Sequence, residues 1–244
     1  MSLAKSIFTN TAIHAIGKVI STAIGLIVVG MIARYLKPEG FGEYSTVAAY
    51  LQIFGIILDM GLYVLALREI SKPEADTAKI FSSFFTLRLV SAVLILIPAP
   101  FIVYLFPYSA NVKIGVAITA ISYLGIASTQ MLTMFFQYKM AMTKVVIAET
   151  AGRIVLLISA LIGISLDAGL RGMLAAVTIG SLVNAGTAFF FMARQIPFRL
   201  NFDFAHWKYI LKETWPIGLS IFFNLIYYKM DTVILSLSWP AETV

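Results

Sequence analysis

Apolar residues fill the chain in long unbroken blocks, and polar residues collect in short gaps between them. Seven blocks stand out, at roughly 11–34, 44–67, 80–105, 114–137, 145–166, 172–194 and 215–238. About 20 helical residues at ~1.5 Å rise cross the ~30 Å hydrocarbon layer of a bilayer, and every block reaches that length. The runs are continuous, not alternating apolar with polar, so they predict helices and not the strands of a membrane barrel. The fold class expected is an all-α integral membrane protein, a bundle of about seven spans.

The gaps support this reading. Arg34 to Ser45 holds Pro38, Gly40 and Gly42, which favour a tight turn, and Arg34, Lys37, Glu39 and Glu43, which keep it in water. Tyr35, Phe41 and Tyr44 suit the headgroup zone. The first unit is therefore a transmembrane hairpin. Pro98 and Pro100 should end or kink the third span. Gly17, Ser21 and Gly25 recur every four residues, which places small side chains on one face and allows close helix contact. Residues 197–214 differ in character. Asp203 can cap a helix, Phe204, Trp207 and Leu211 share one face, and Arg199, Lys208 and Lys212 stay polar. This segment is expected to lie on the membrane as an amphipathic connector, with Trp215-Pro216 opening the seventh span. The expected division is residues 1–196, a six-helix half; 197–214, the connector; and 215–244, the first helix of a second half, with the chain truncated there.

Composition confirms the class: 60% of residues are apolar, 12% are charged and the mean hydropathy is +0.91. A soluble domain is nearer a quarter charged. The absence of cysteine excludes disulfides and thiolate chemistry. The first run is too long for a cleaved signal peptide. The formal charge of +6 fits basic cytoplasmic loops rather than nucleic-acid binding. With the N-terminus inside, inner segments carry ten Lys or Arg and outer loops carry Arg34, Lys37, Lys113 and Arg171. That excess predicts a cytoplasmic-membrane protein with its N-terminus in the cytoplasm.

Charge also occurs inside the spans, where it is costly and normally faces a polar interior. Lys18, Asp59, Arg88 and Arg153 each sit about eight residues, or ~12 Å, from the same end of their helices. Three of the four are basic. This layer predicts a wet, net-positive cavity for an anionic substrate, with Arg88 and Arg153 gripping phosphate through paired hydrogen bonds and Lys18 nearby. The alternative is structural: Asp59 neutralises a cation and Lys18 snorkels. Glu149 lies one turn from Arg153, and an intrahelical pair is expected. Asn224 and Asp231 share a face of the seventh span and are candidates for ion or proton coupling, or for a helix–helix hydrogen bond. His14 and His206 fit no catalytic or metal pattern, so no metal, cofactor or enzymatic activity is expected.

Ala33-Arg-Tyr-Leu-Lys-Pro-Glu-Gly-Phe-Gly-Glu-Tyr-Ser45 resembles the first-loop signature of polysaccharide-export flippases, the Wzx-type branch of the MOP superfamily. Asp59-Met-Gly-Leu-Tyr63, Leu67-Arg-Glu-Ile-Ser71, Phe136-Gln-Tyr-Lys139 and Tyr228-Lys-Met-Asp231-Thr-Val-Ile234 look similar to later segments of that family, in the same order. The resemblance implies 12 to 14 helices in two six-helix halves around a central cavity. It implies alternating access that carries polyprenyl-pyrophosphate-linked oligosaccharide, as for O-antigen, to the outer leaflet. Arg88 and Arg153 would meet the pyrophosphate, with Lys18 and Asp59 beside them. Either the chain is one half of such a protein or two copies associate. A MATE-like multidrug antiporter would need acidic cavity residues, and a membrane glycosyltransferase or O-antigen ligase would need a large catalytic outer loop. A subunit without transport would not need the charge layer.

Overall fold

The computed structural model describes the backbone of residues 3–59 and 61–238, and the side chains of residues 8, 11–55, 57–58, 61–220 and 223. Among these the secondary structure is entirely helical. In order come α1 (Leu3–Asp59), α2 (Leu62–Ile70), α3 (Thr77–Leu96), the short α4 (Ala99–Ile102) with a 3-10 turn (Val103–Leu105), α5 (Ala110–Tyr138), α6 (Met142–Ser165), α7 (Gly169–Ala193) and α8 (Phe204–Ser238). Five helical stretches among the described residues are long and apolar enough to cross a membrane. The first, Thr11–Gly55, is 45 residues and has length for two crossings.

The expected hairpin is present within α1. Lys37 leaves helical geometry at φ 60°, ψ 176°, and Pro38 starts a new helix directly after it. The turn is thus far shorter than the Arg34–Ser45 segment suggests, because proline's fixed φ nucleates the second arm at once. The arms run in opposite directions. Lys18 and Tyr35 of the first arm meet Glu149 and Asp167, so it lies parallel to α6. The second arm runs with α5, from Glu43 beside Ser109 to Gly55 against Tyr123. At the α6–α7 turn the Tyr35 hydroxyl donates to Asp167 Oδ1 at 2.7 Å and accepts from Gly169 N at 3.0 Å.

The second apolar run is not one helix. It breaks before α2, where Gly61 takes φ +75°, a left-handed conformation that glycine adopts without strain. Pro98 and Pro100 end α3 as expected and leave only a four-residue helix beyond it. The junction expected at residues 214–215 is absent: α8 runs unbroken through Pro216. The proline leaves the Lys212 carbonyl without its helical partner, on an exposed residue. The connector face also differs from expectation. Asp203 does cap the helix, accepting from His206 N at 3.0 Å. Trp207, Ile210 and Thr214 turn inward instead, leaving Phe204 and Leu211 exposed. Spacing of i, i+3 and i+7 is the true inward stripe.

Packing is tight where side chains are small. A Cβ on Gly17 would stand 2.4 Å from a methyl of Val146, so the Gly17–Ser21–Gly25 face is in close contact with α6. Gly152 and Gly180 bring α6 and α7 together so closely that a Cβ on Gly152 would lie 2.7 Å from the Gly180 carbonyl oxygen. The largest core cluster lies near the α5–α6 turn and is rich in aromatics, with Phe81, Phe84, Phe135 and Phe136 fully buried.

Candidate functional site

Three helices line one cleft with polar and apolar side chains at helical spacing. From α5 come Ser122, Ile126, Thr129, Gln130 and Thr133; from α6, Val145, Glu149, Gly152, Arg153 and Leu156; from α7, Val177, Gly180, Ser181 and Asn184. His14 and Lys18 of the first arm and Tyr63 of α2 complete the wall. The cleft consists of two adjoining hollows of ≈ 560 and ≈ 730 Å³ that share Ile126, Glu149 and Asn184. Serine and threonine hydroxyls in it are largely committed to backbone, as Ser181 Oγ to Ser122 O at 2.9 Å and Thr129 Oγ1 to Gly125 O at 2.8 Å. Asn184 Oδ1 is buried with no hydrogen-bond partner among the described residues.

The charged residues take distinct positions. Lys18 Nζ donates to Glu149 Oε1 at 3.1 Å, so Glu149 pairs across helices and not with Arg153 on its own helix. The first arm lies close enough for the pair because Gly17 sits directly against α6. Arg153 lines the inner hollow near the middle of α6, about 17 Å from the helix start. Its guanidinium lies against Gly25, where a Cβ would be 3.3 Å from Nη1. Among the described residues it makes no hydrogen bond or ion pair. Lys18, Glu149 and Arg153 together give the described lining a net single positive charge.

Arg88 is placed differently from its neighbours. It is 2% exposed and lies outside the cleft lining. Its guanidinium donates to the Leu58 carbonyl and to Gln130 Oε1, and Gln130 does line the cleft. The layer of basic residues therefore splits: Lys18 and Arg153 face the opening, and Arg88 stands behind the wall. The side chains of Asp59, Asn224, Lys229 and Asp231 lie outside the described residues. No group of three or more His, Asp or Glu side chains suited to a metal ion occurs among the described residues.

Gln130 and Asn184 carry no charge and match no motif, so sequence reading passes over them, and Tyr63 is marked only as part of the Asp59–Tyr63 resemblance and not as a lining residue. The signal was the polar stripe on α5 at 122, 129, 130 and 133. His14 also lines the cleft, and its four-residue offset from Lys18 is the feature that would have placed it there.

A helical bundle with membrane-length spans, opened by a cleft that holds Lys18, Glu149 and Arg153, defines a class, the multi-span helical membrane proteins. The chain belongs to the polysaccharide biosynthesis protein family, which it matches over residues 7–244. This is the family of the Wzx-type polysaccharide flippases of the MOP superfamily that the loop motifs resemble, and a role in polysaccharide synthesis or export follows from membership. No curated protein and no solved structure matches the chain.

Proposed function

We propose that this protein moves a polyprenyl-pyrophosphate-linked oligosaccharide across the cytoplasmic membrane by alternating access, with its N-terminus in the cytoplasm. One observation carries the reading: Arg153 is a mid-helix cation in an open cleft with no ion-pair partner among the described residues. An unpaired cation at that depth is costly unless an anion visits it. Guanidinium matches phosphate in fork geometry, so Arg153 holds the diphosphate. Lys18 joins when the diphosphate displaces Glu149. The neutral donors and acceptors of Gln130, Asn184 and Tyr63 then suit sugar hydroxyls, which need hydrogen bonds but no charge.

Arg88 acts in this reading from behind the wall, by fixing Gln130. Asp59, Asn224 and Asp231 are the coupling candidates. The opposing wall comes from a second six-helix half or a second copy. A cation antiporter would keep a carboxylate available in the cleft, whereas Glu149 is occupied by Lys18. In cells that rely on this protein for surface polysaccharide, Arg153→Ala and Arg88→Ala should abolish the polymer while membrane insertion persists. Normal polymer from both variants would refute the site.

A further inference from the structure

A second basic recess lies away from the cleft, where the α2–α3 loop meets the segment between α7 and α8. The geometry points to a binding site there for the phosphate headgroup of an anionic membrane lipid, held by Lys79 and Arg199. The recess has a volume of ≈ 860 Å³, and both residues line it together with Ser82 and Asn201. The two cations come from positions 120 residues apart and reach one hollow only through the fold.

Neither cation has an ion-pair partner or a ring beneath it among the described residues, whereas three neighbours at this end do. Lys72 is bound to Glu69 at 2.5 Å, Arg194 covers the Phe190 ring at 4.1 Å and Lys139 lies over Tyr138 at 5.2 Å. Asp76 is the acid in the recess, and its carboxylate already caps α3 by accepting from Lys79 N at 3.0 Å. Arg199 is not on a loose loop. Phe198 beside it packs edge-on to Phe85, Phe189 and Phe81, and Asn201 N donates to Thr86 Oγ1 at 3.0 Å.

The recess sits at the ends of two membrane-length helices, which start at Thr77 and finish at Ala193. That is headgroup depth, where fixed basic pockets attract anionic lipid. Leu200 and Phe202, both more than half exposed, offer an apolar surface for an acyl chain next to Arg199. A soluble anion would gain nothing from them, which favours a lipid as the source of the phosphate.

Purified protein in a neutral detergent, titrated with phosphatidylglycerol and read by native mass spectrometry, tests the assignment. Wild type should retain the lipid, and the double variant Lys79→Gln/Arg199→Gln should bind it about thirtyfold more weakly. Lys208→Gln, an exposed cation outside the recess, should bind as wild type, and Arg153→Gln should too, which separates this site from the cleft. Phosphatidylcholine should not compete, and millimolar inorganic phosphate should not displace the lipid. Equal retention by a folded double variant, equal loss in Lys208→Gln, or displacement by free phosphate would each overturn the proposal.

Discussion

Arg88 holds Gln130 through a hydrogen bond to Oε1, so the amide nitrogen of Gln130 must point away from Arg88. Arg88 also donates to the Leu58 carbonyl, near the end of the second arm of α1. A single buried guanidinium thus joins α1, α3 and α5 and sets the orientation of a side chain in the cleft wall.

Replacing Arg88 should therefore cost stability first. Arg88→Ala leaves two acceptors without their donor in a buried setting, a loss of about 3 kcal/mol or more. Arg88→Lys should recover little, because an ammonium cannot bridge two acceptors as a planar fork does. Thermal unfolding in detergent would show both variants well below wild type. A wild-type midpoint for Arg88→Lys would mean the fork geometry is irrelevant.

The close crossings give a paired test. Gly152→Val places side-chain carbon against the Gly180 backbone, where even a Cβ would stand 2.7 Å from oxygen. Overpacking of this kind costs about 1–3 kcal/mol. Gly186→Ala meets nothing within 4 Å and should be neutral or slightly stabilising. Unfolding midpoints of the two variants should diverge; matching midpoints would contradict the packing described.

The Lys18–Glu149 pair predicts opposite effects on anion binding. Lys18 is 60% exposed, so the pair itself stabilises the fold by less than about 1 kcal/mol. Glu149→Gln frees Lys18 and removes a negative charge from the lining, so pyrophosphate affinity should rise roughly threefold to tenfold. Lys18→Met should lower it by a similar factor. Isothermal titration with pyrophosphate at two ionic strengths would measure both, with smaller differences at high salt.

These residues also show what the chain made legible. Helices were readable because apolar runs of membrane length have no soluble alternative, and Pro38 marked the hairpin. Gly61 was hidden because the apolar run continues on both sides of Asp59-Met60-Gly61 and Asp59 reads as a charge inside a span; only the φ of Gly61 reveals the break. Pro216 misled, since α8 continues through it instead of starting there. Counting from the apolar runs understates the depth of Arg88 and Arg153, because α3 and α6 begin at Thr77 and Met142, and Asp59 falls at the end of α1 and not within a span; depth in any case does not give azimuth. Whether a cation faces an opening or a neighbouring glutamine depends on how helices rotate against each other. For Lys18 and Arg153 that rotation follows the close contacts at Gly17, Gly152 and Gly180, whose role lies between segments far apart in sequence.

The central claim is that Arg153 is the cation that meets the substrate diphosphate. Its most direct test is equilibrium binding of a short-chain polyprenyl pyrophosphate to the purified protein, wild type against Arg153→Gln. A charge-assisted paired hydrogen bond is worth about 1.5–3 kcal/mol, so the variant should bind at least tenfold more weakly while keeping its unfolding temperature. Unchanged affinity in a folded Arg153→Gln protein would contradict the account.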